Sequence, residues 1–347
     1  MKKIVVLGLC LSSMLFGCKT TPYKVNLNQE KIATNKTIDI NSIIPQDEIN
    51  VIVPISNGAS AASAQFGLIG GLIGGAIDSS VNQSNAILYE KAINPVRDSL
   101  INYHFEKPFN DVLAKNIKSL PLFSESKFHS LKKDTEQKNL PSQEMKIYTN
   151  YTYTSDFKML IVNSRVVIED TRGEKPEILY QNYFTYNSKI LPDSVPYKNQ
   201  YDTKSTERKK KYFSLTKKQR KSNIEIAKLT KDLRKLRFKY RGIDRLQKYA
   251  SQWSKNSGEL TKKELNKAIV EINNMIKLDI NNQETVDQYK TAGKFSYDGK
   301  KYDVAMLKKD DTNSRAIFQT TKGGGTGQLC SIDLSNLTEH NMYSCVK

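Results

Sequence analysis

Histidine and cysteine are scarce: His104, His129, His340 and four cysteines are all that 347 residues contain. They form no HExxH pair, and no Cys or His pair stands at zinc spacing. There is no GxSxG elbow either. A serine triad assembles in space and leaves no local trace, and nothing in the chain raises one. The glycines from Gly323 to Gly327 lack the Lys-Ser/Thr that completes a phosphate loop, so they read as a loop. Asp310-Asp311 lacks the rest of an EF-hand and reads as a solvated turn. These absences point away from an enzyme, and they imply no cofactor and no metal. Acids are also short, with 36 Asp and Glu against 54 Lys and Arg and a formal net charge of +18. Beyond the first residues no stretch approaches the ~20 apolar residues of a spanning helix.

The N-terminus carries the clearest signal present. Lys2 and Lys3 precede an apolar run from Ile4 to Phe16, and Leu15-Phe16-Gly17-Cys18 closes it. A basic start, a short apolar stretch and a small residue before the cut form a secretory signal. A cysteine directly after the small residue resembles the lipobox of bacterial lipoprotein precursors. That resemblance implies cleavage after residue 17 and lipidation of Cys18, with Phe16 a departure from the small residue commoner there. Several acyl chains hold a membrane far more firmly than the marginal single chain. Cys10 leaves with the signal, so Cys330 and Cys345 remain in an oxidising compartment and are expected to pair.

Composition divides the rest. Residues 18–48, rich in Asn, Thr and Lys, read as a lipidated tether. Residues 49–200 read as an α+β core. Its first strand is Ile49–Ile55, where apolar residues alternate. Ser56–Ile77 has no charge, and Ser63, Gly67, Gly71, Gly75 and Ser79 recur four apart across a Gly-rich segment at 63–79. Small residues at that spacing let helices approach closely, which makes Gly67, Gly71 and Gly75 candidates for packing or self-association. Each glycine also costs about 1 kcal/mol in a helix. Asn94-Pro95 marks a helix start, and Lys107-Pro108 opens a second helix with Phe109, Val112, Leu113, Ile117 and Leu120 on one face. Lys127–Leu131 is a weak strand. Lys146–Thr154, Phe157–Glu169 and Glu177–Ser188 follow as an antiparallel meander.

Residues 201–290 form a basic helical region. Between Lys204 and Lys248 lie 18 basic residues and four acids, a net of 18 − 4 = +14. Ile226, Leu229, Leu233, Leu236, Tyr240 and Ile243 step by three and four, as in an a/d seam with a cationic outer face. A second helix follows Ser257-Gly258, with Thr261 to Glu264 in the capping-box pattern and Leu265, Ile269, Ile272 and Ile276 as its seam. The two helices are expected to lie antiparallel. Clustered cations concentrate polyanions, and the candidates are Arg208, Lys209, Lys210, Lys211, Lys217, Lys218, Arg220, Lys221, Arg234 and Lys235. Residues 291–347 read as a small β module stapled by the disulfide, with a hairpin turning at Asp298-Gly299. The expected architecture is therefore α+β: an antiparallel sheet covered by helices, a basic helical pair and this module.

The lipobox, first strand, Gly-rich segment and Asn82–Leu120 together resemble poorly characterised Gly-zipper bacterial lipoproteins. The stretch from Trp253 through Ala268-Ile269 and Met275-Ile276 to Leu278-Asp279 resembles the closing helix of that group. The order of elements is loosely similar to the TolB N-terminal domain, a likeness of fold that licenses no function. The resemblance implies anchoring in the outer membrane, facing the periplasm, and no enzyme activity. Lys19 after the lipidated cysteine fits that sorting. Two functions are expected from these features: a lipid-anchored scaffold or accessory factor that binds a protein partner or its own copies, or a lipoprotein that binds lipid phosphates or wall polymers through residues 204–248. Nucleic acid is the weakest target, because a periplasmic protein rarely meets it.

Overall fold

The computed structural model describes residues 23–33, 37–53, 80–120, 122–123, 125–132, 142–192, 197–241, 243–290, 294–297, 299–323, 325–337, 342 and 345. Strand β4 (Gln143–Tyr153), β5 (Leu160–Asp170) and β6 (Glu177–Asn187) form the expected antiparallel meander. In β4 Met145, Ile147, Tyr151 and Tyr153 alternate with half-buried residues, the period of two that seats one face on a core. Around the meander lies a nine-stranded sheet in the order β3 (Glu125–Leu131), β1 (Thr37–Ile43), β4, β5, β6, β11 (Leu329–Asp333), β10 (Arg315–Thr320), β9 (Val304–Asp310), with short β2 (Asn50–Val51) also on β4.

The class is α+β, and the sheet is mixed rather than wholly antiparallel. Strand β1 (Thr37–Ile43) runs parallel to both β4 and β3 (Glu125–Leu131). It lies inside the stretch expected to be a tether, and Ile38, Ile40, Ile43 and Ile44 are buried. The alternation was diluted by Asn41 and Ser42, which are buried as well and satisfied across the core. Asn41 donates to Glu144, and Ser42 donates to Asn110 Oδ1 at 2.6 Å. Of the strand expected at Ile49–Ile55, only Asn50 and Val51 pair; residues 54 and 55 lie outside the described set.

Helix α1 is Gln29–Ala33, and α2 is Ser80–Ser99. The helix start expected at Asn94-Pro95 is overturned, because α2 runs through Pro95 to Ser99. An interior proline costs about 3 kcal/mol. Ala92, Ile93, Val96 and Leu100 are buried, at roughly 1.5–3 kcal/mol for each large side chain, and this outweighs the proline. Helix α3 (Glu106–Lys118) seats Phe109, Leu113 and Ile117 as its spacing predicts.

The helix that organises the core is Ile243–Asn281, taken here as α7, after α4 (Tyr197–Phe213), α5 (Lys217–Ser222) and α6 (Ile224–Arg241). It breaks at Lys255–Gly258, where Asn256, Ser257 and Gly258 have φ of 53°, 56° and 72°. Ser257-Gly258 is thus a link, as its composition suggested. A Cβ on Gly258 would stand 2.7 Å from Ser99 Oγ, so the link also needs the missing side chain. The expected capping box does not form. Thr261 Oγ1 donates to Trp253 O at 3.0 Å and meets the Tyr153 hydroxyl at 2.7 Å, while Glu264 accepts from Tyr186 OH at 2.7 Å. Tertiary partners took both groups.

The second arm of α7 lies on the sheet. Leu265, Ala268, Ile269, Ile272, Met275 and Ile276 are buried in the main core with β4, β5 and β6. The expected antiparallel partners are corrected too: α6 packs chiefly against α4, and the short helix α5 links the two. A capping box does exist there, with Thr216 and Gln219 bonded reciprocally at the start of α5.

After α8 (Gln283–Val286), β7 (Phe295–Tyr297) and β8 (Lys300–Tyr302) form the expected hairpin, with Gly299 at φ 71°. Strands β9 (Val304–Asp310), β10 (Arg315–Thr320) and β11 (Leu329–Asp333) then extend the large sheet, because β11 pairs parallel with β6. The C-terminal strands are therefore not a separate sheet. A parallel pairing across some 140 residues leaves no mark in the local pattern. The stapled character remains: Cys330 and Cys345 are disulfide-bonded with Cα atoms 5.7 Å apart, in a small cluster with Phe318, Ile332 and Met342.

Candidate functional site

Two regions are built for more than packing: the place where the N-terminal segment joins the body, and the basic hairpin of α4, α5 and α6.

The segment from Tyr23 is locked down. Tyr23 stacks on Tyr183 with ring centroids 4.0 Å apart, and Val25 exchanges backbone hydrogen bonds with Gln181 at 2.8 and 3.0 Å. Lys24 Nζ lies 3.1 Å from Asp279 Oδ1 and 3.2 Å from Asp287 Oδ1, with its side chain 2% exposed. Asp279, fully buried, also accepts from Tyr180 OH at 2.5 Å and Asn182 Nδ2 at 2.7 Å. Burial, and then the adjacent Asp279 charge, push the Tyr180 phenol well above its usual range, so it stays a donor. Gly327, at φ 94°, leaves room for the lysine: a Cβ there would sit 2.7 Å from Lys24 Cδ. Every hydrogen-bonding group of this buried carboxylate is committed, as a charge removed from water requires.

In the hairpin, short contacts bind α4 to α6. Lys204 Nζ pairs with Asp232 at 3.1 Å, Arg208 Nε donates to Thr230 Oγ1 at 2.9 Å, and Lys211 Nζ pairs with Glu225 at 2.8 Å. The Lys204 hydrogen bond holds the Asp232 carboxyl below its usual range. Ile226 and Leu229 of the seam are buried, as spaced. Arg220 folds α5 back: its Nε donates to Tyr212 O at 2.7 Å, and its guanidinium lies 4.2 Å from the Tyr212 ring centroid.

Of the cation candidates, Arg208, Lys211 and Arg220 are therefore partly spent on the hairpin itself. Lys209, Lys210, Lys217, Arg234 and Lys235 are exposed, and among the described residues no ion pair takes them up. The side chains of Lys218 and Lys221 lie outside the described set, as do Cys18, Gly67, Gly71 and Gly75. The hairpin thus keeps exposed cations on α4, α5 and α6, able to bind phosphate or carboxylate groups as point charges.

Family models, curated proteins and solved structures offer no match to this chain. The site's meaning therefore rests on its own geometry.

A cleft of about 840 Å³ lies between the second arm of α7 and the β9–β10 turn, lined in part by Lys262, Lys267, Glu271, Asn313 and Arg315. Its innermost charge serves as a brace. Arg315 donates to Ser331 Oγ at 3.0 Å and to the carbonyls of Asn187 and Ser331 at 2.8 and 2.9 Å, over the Tyr186 ring at 4.2 Å. Ser331 in turn donates to Glu271 at 2.7 Å. At the β9–β10 turn, Asp310 accepts from the backbone of Thr312 and Asn313, the turn role its sequence suggested. Among the described residues no cluster of three metal-ligating side chains occurs, and no helix is long and apolar enough to cross a membrane.

Sequence reasoning missed the Lys24 lock, the Arg315 brace and the true partner of α6. Thr216-Lys217-Lys218-Gln219 was the one local signal for the last, since it marks a fresh helix start inside the basic run.

Proposed function

We propose that this protein is a lipid-anchored, non-enzymatic interaction protein of the bacterial envelope. The lipid sits on Cys18, and the basic hairpin of α4, α5 and α6 grips an anionic surface or polymer. One observation carries the second half: five cations on the hairpin are exposed and without ion pairs among the described residues, while two of its four acids, Glu225 and Asp232, are engaged within it. The lock around Lys24 supports the first half, since a short lead from Cys18 reaches a segment bonded into the sheet. Four residues lie between Cys18 and Tyr23, so the five steps of chain reach roughly 18 Å when extended. Binding rather than catalysis is favoured because the buried carboxylates of Asp279 and Glu264 are held by tyrosine hydroxyls, as braces are.

The test is binding to lipopolysaccharide and to polyphosphate across a salt series. The quadruple variant Lys209→Glu, Lys210→Glu, Arg234→Glu, Lys235→Glu is expected to lose binding, and the wild type to lose it as salt rises. Binding indifferent to both would end this reading. For the anchor, Cys18→Ala should release the protein from membranes washed in high salt.

A further inference from the structure

We infer that the end of the α4–α6 hairpin is a membrane-inserting tip that takes an anionic phospholipid leaflet. The inference rests on the polyanion reading of the hairpin and names its partner.

Three large apolar or aromatic side chains are exposed at one end of the hairpin. Phe213 is 76% exposed, Ile224 is 85% exposed and Tyr212 is partly so. Their proximity follows from the pairing. Lys211 meets Glu225, so the last residues of α4 and the first of α6 lie side by side, and Arg220 ties α5 to Tyr212. Phe213 packs edge-on to Tyr212, with ring centroids 5.7 Å apart. Isolated exposed apolar residues need no explanation, but three at one end of a single hairpin do.

Charge selects the occupant. From Arg208 to Lys221 the chain carries eight cations, and there is no acid between Glu207 and Glu225. A second protein surface could cover Phe213 and Ile224, but so cationic a stretch would then need an equally dense acidic rim. A soluble polyanion would satisfy the cations and leave Ile224, an aliphatic side chain with nothing to stack on, in water. An anionic leaflet satisfies both: phosphates meet the lysines while Phe213 and Ile224 enter the headgroup–acyl boundary and Tyr212 stays at the interface. Long lysine side chains can keep their ammonium groups at phosphate level while the apolar tip goes deeper.

The experiment uses the full chain reconstituted in vesicles. Single variants Phe213→Cys, Ile224→Cys and, as a control in the exposed β9–β10 turn, Asp311→Cys each carry an environment-sensitive fluorophore. Quenching is read with spin-labelled lipids and with aqueous iodide, in phosphatidylglycerol-containing and in pure phosphatidylcholine vesicles. The expected result is lipid quenching at Phe213 and Ile224 only in anionic vesicles, none at Asp311, and its loss in the Lys209→Glu, Lys210→Glu background. Raising salt from about 0.1 M to 1 M, where the screening length falls from about 10 Å to about 3 Å, should reduce it. Iodide quenching of the tip in every vesicle, with polyphosphate binding intact, would overturn the insertion and spare the polyanion reading. Loss of polyphosphate binding as well would overturn both. A tip already shielded from iodide without lipid would assign it to a protein contact and overturn the inference.

Discussion

Asp279→Ala is the substitution that bears most directly on how the N-terminal segment is held. The Asp279 carboxylate is fully buried and compensates Lys24, itself 2% exposed, while accepting from Tyr180 and Asn182. Removing one partner of a buried ion pair costs about 3–5 kcal/mol, because the other charge is left behind. Two orphaned donors would add roughly 1–3 kcal/mol each. Relief comes from Asp287, still 3.2 Å from the ammonium, and from Gly327 O, which keeps one bond to Asn182 at 3.1 Å. These terms share atoms and do not add. The expected loss is about 4 kcal/mol, a large share of the roughly 5–15 kcal/mol that holds a domain folded. Asp287→Ala leaves the inner carboxylate in place and should cost about 1 kcal/mol by the same reasoning. Lys24→Met with Asp279→Asn removes both charges yet keeps an acceptor for Tyr180, so it should recover most of the loss. Urea unfolding followed by the single tryptophan gives each value; Trp253 is buried and donates to Phe157 O at 2.6 Å, so its emission reports the core. A loss below about 1 kcal/mol for Asp279→Ala, or a double variant no more stable than it, would refute the assignment of the lock as an ion pair closed by burial.

Other outcomes follow from the same structure. Cys345→Ser opens a bridge of sequence separation 15 and should cost about 3 kcal/mol, seen as a lowered urea midpoint and one titratable thiol at Cys330. Gly258→Ala places a Cβ at φ 72° and 2.7 Å from Ser99 Oγ; a loss of about 2 kcal/mol in unfolding free energy is expected, and an unchanged midpoint would count against the tight link. Hydrogen bonds from Arg172 hold the Asp170 carboxyl at about 2, below its usual 3.8. That contribution is present above pH 3.8 and fades as pH falls toward 2, so Asp170→Asn should destabilise at neutral pH and converge with wild type in acid. Acid-titrated unfolding curves that stay parallel would contradict it.

What could be seen in the sequence was local. The meander from Gln143 to Asn187, the seats of Phe109, Leu113 and Ile117, the run Leu265, Ile269, Ile272, Ile276 and the link at Ser257-Gly258 each carry a period or a turn residue that needs no distant partner. The cation cluster and the lipobox pattern are equally local, because charge and short motifs are properties of the chain. Tertiary structure alone decided the rest. Thr37–Ile43 is a strand only because β3 and β4 flank it on both edges, and Leu329–Asp333 belongs to the main sheet only because β6 offers a free parallel edge. Pro95 stays inside a helix because the core holds Ile93 and Val96. Lys24 and Asp279 meet although they are 255 residues apart, and exposed Phe213 and Ile224 lie at the same end of the hairpin only because α4 and α6 fold back on each other. Local propensity is a small free energy per residue, and burial summed across distant elements outweighs it wherever the two disagree.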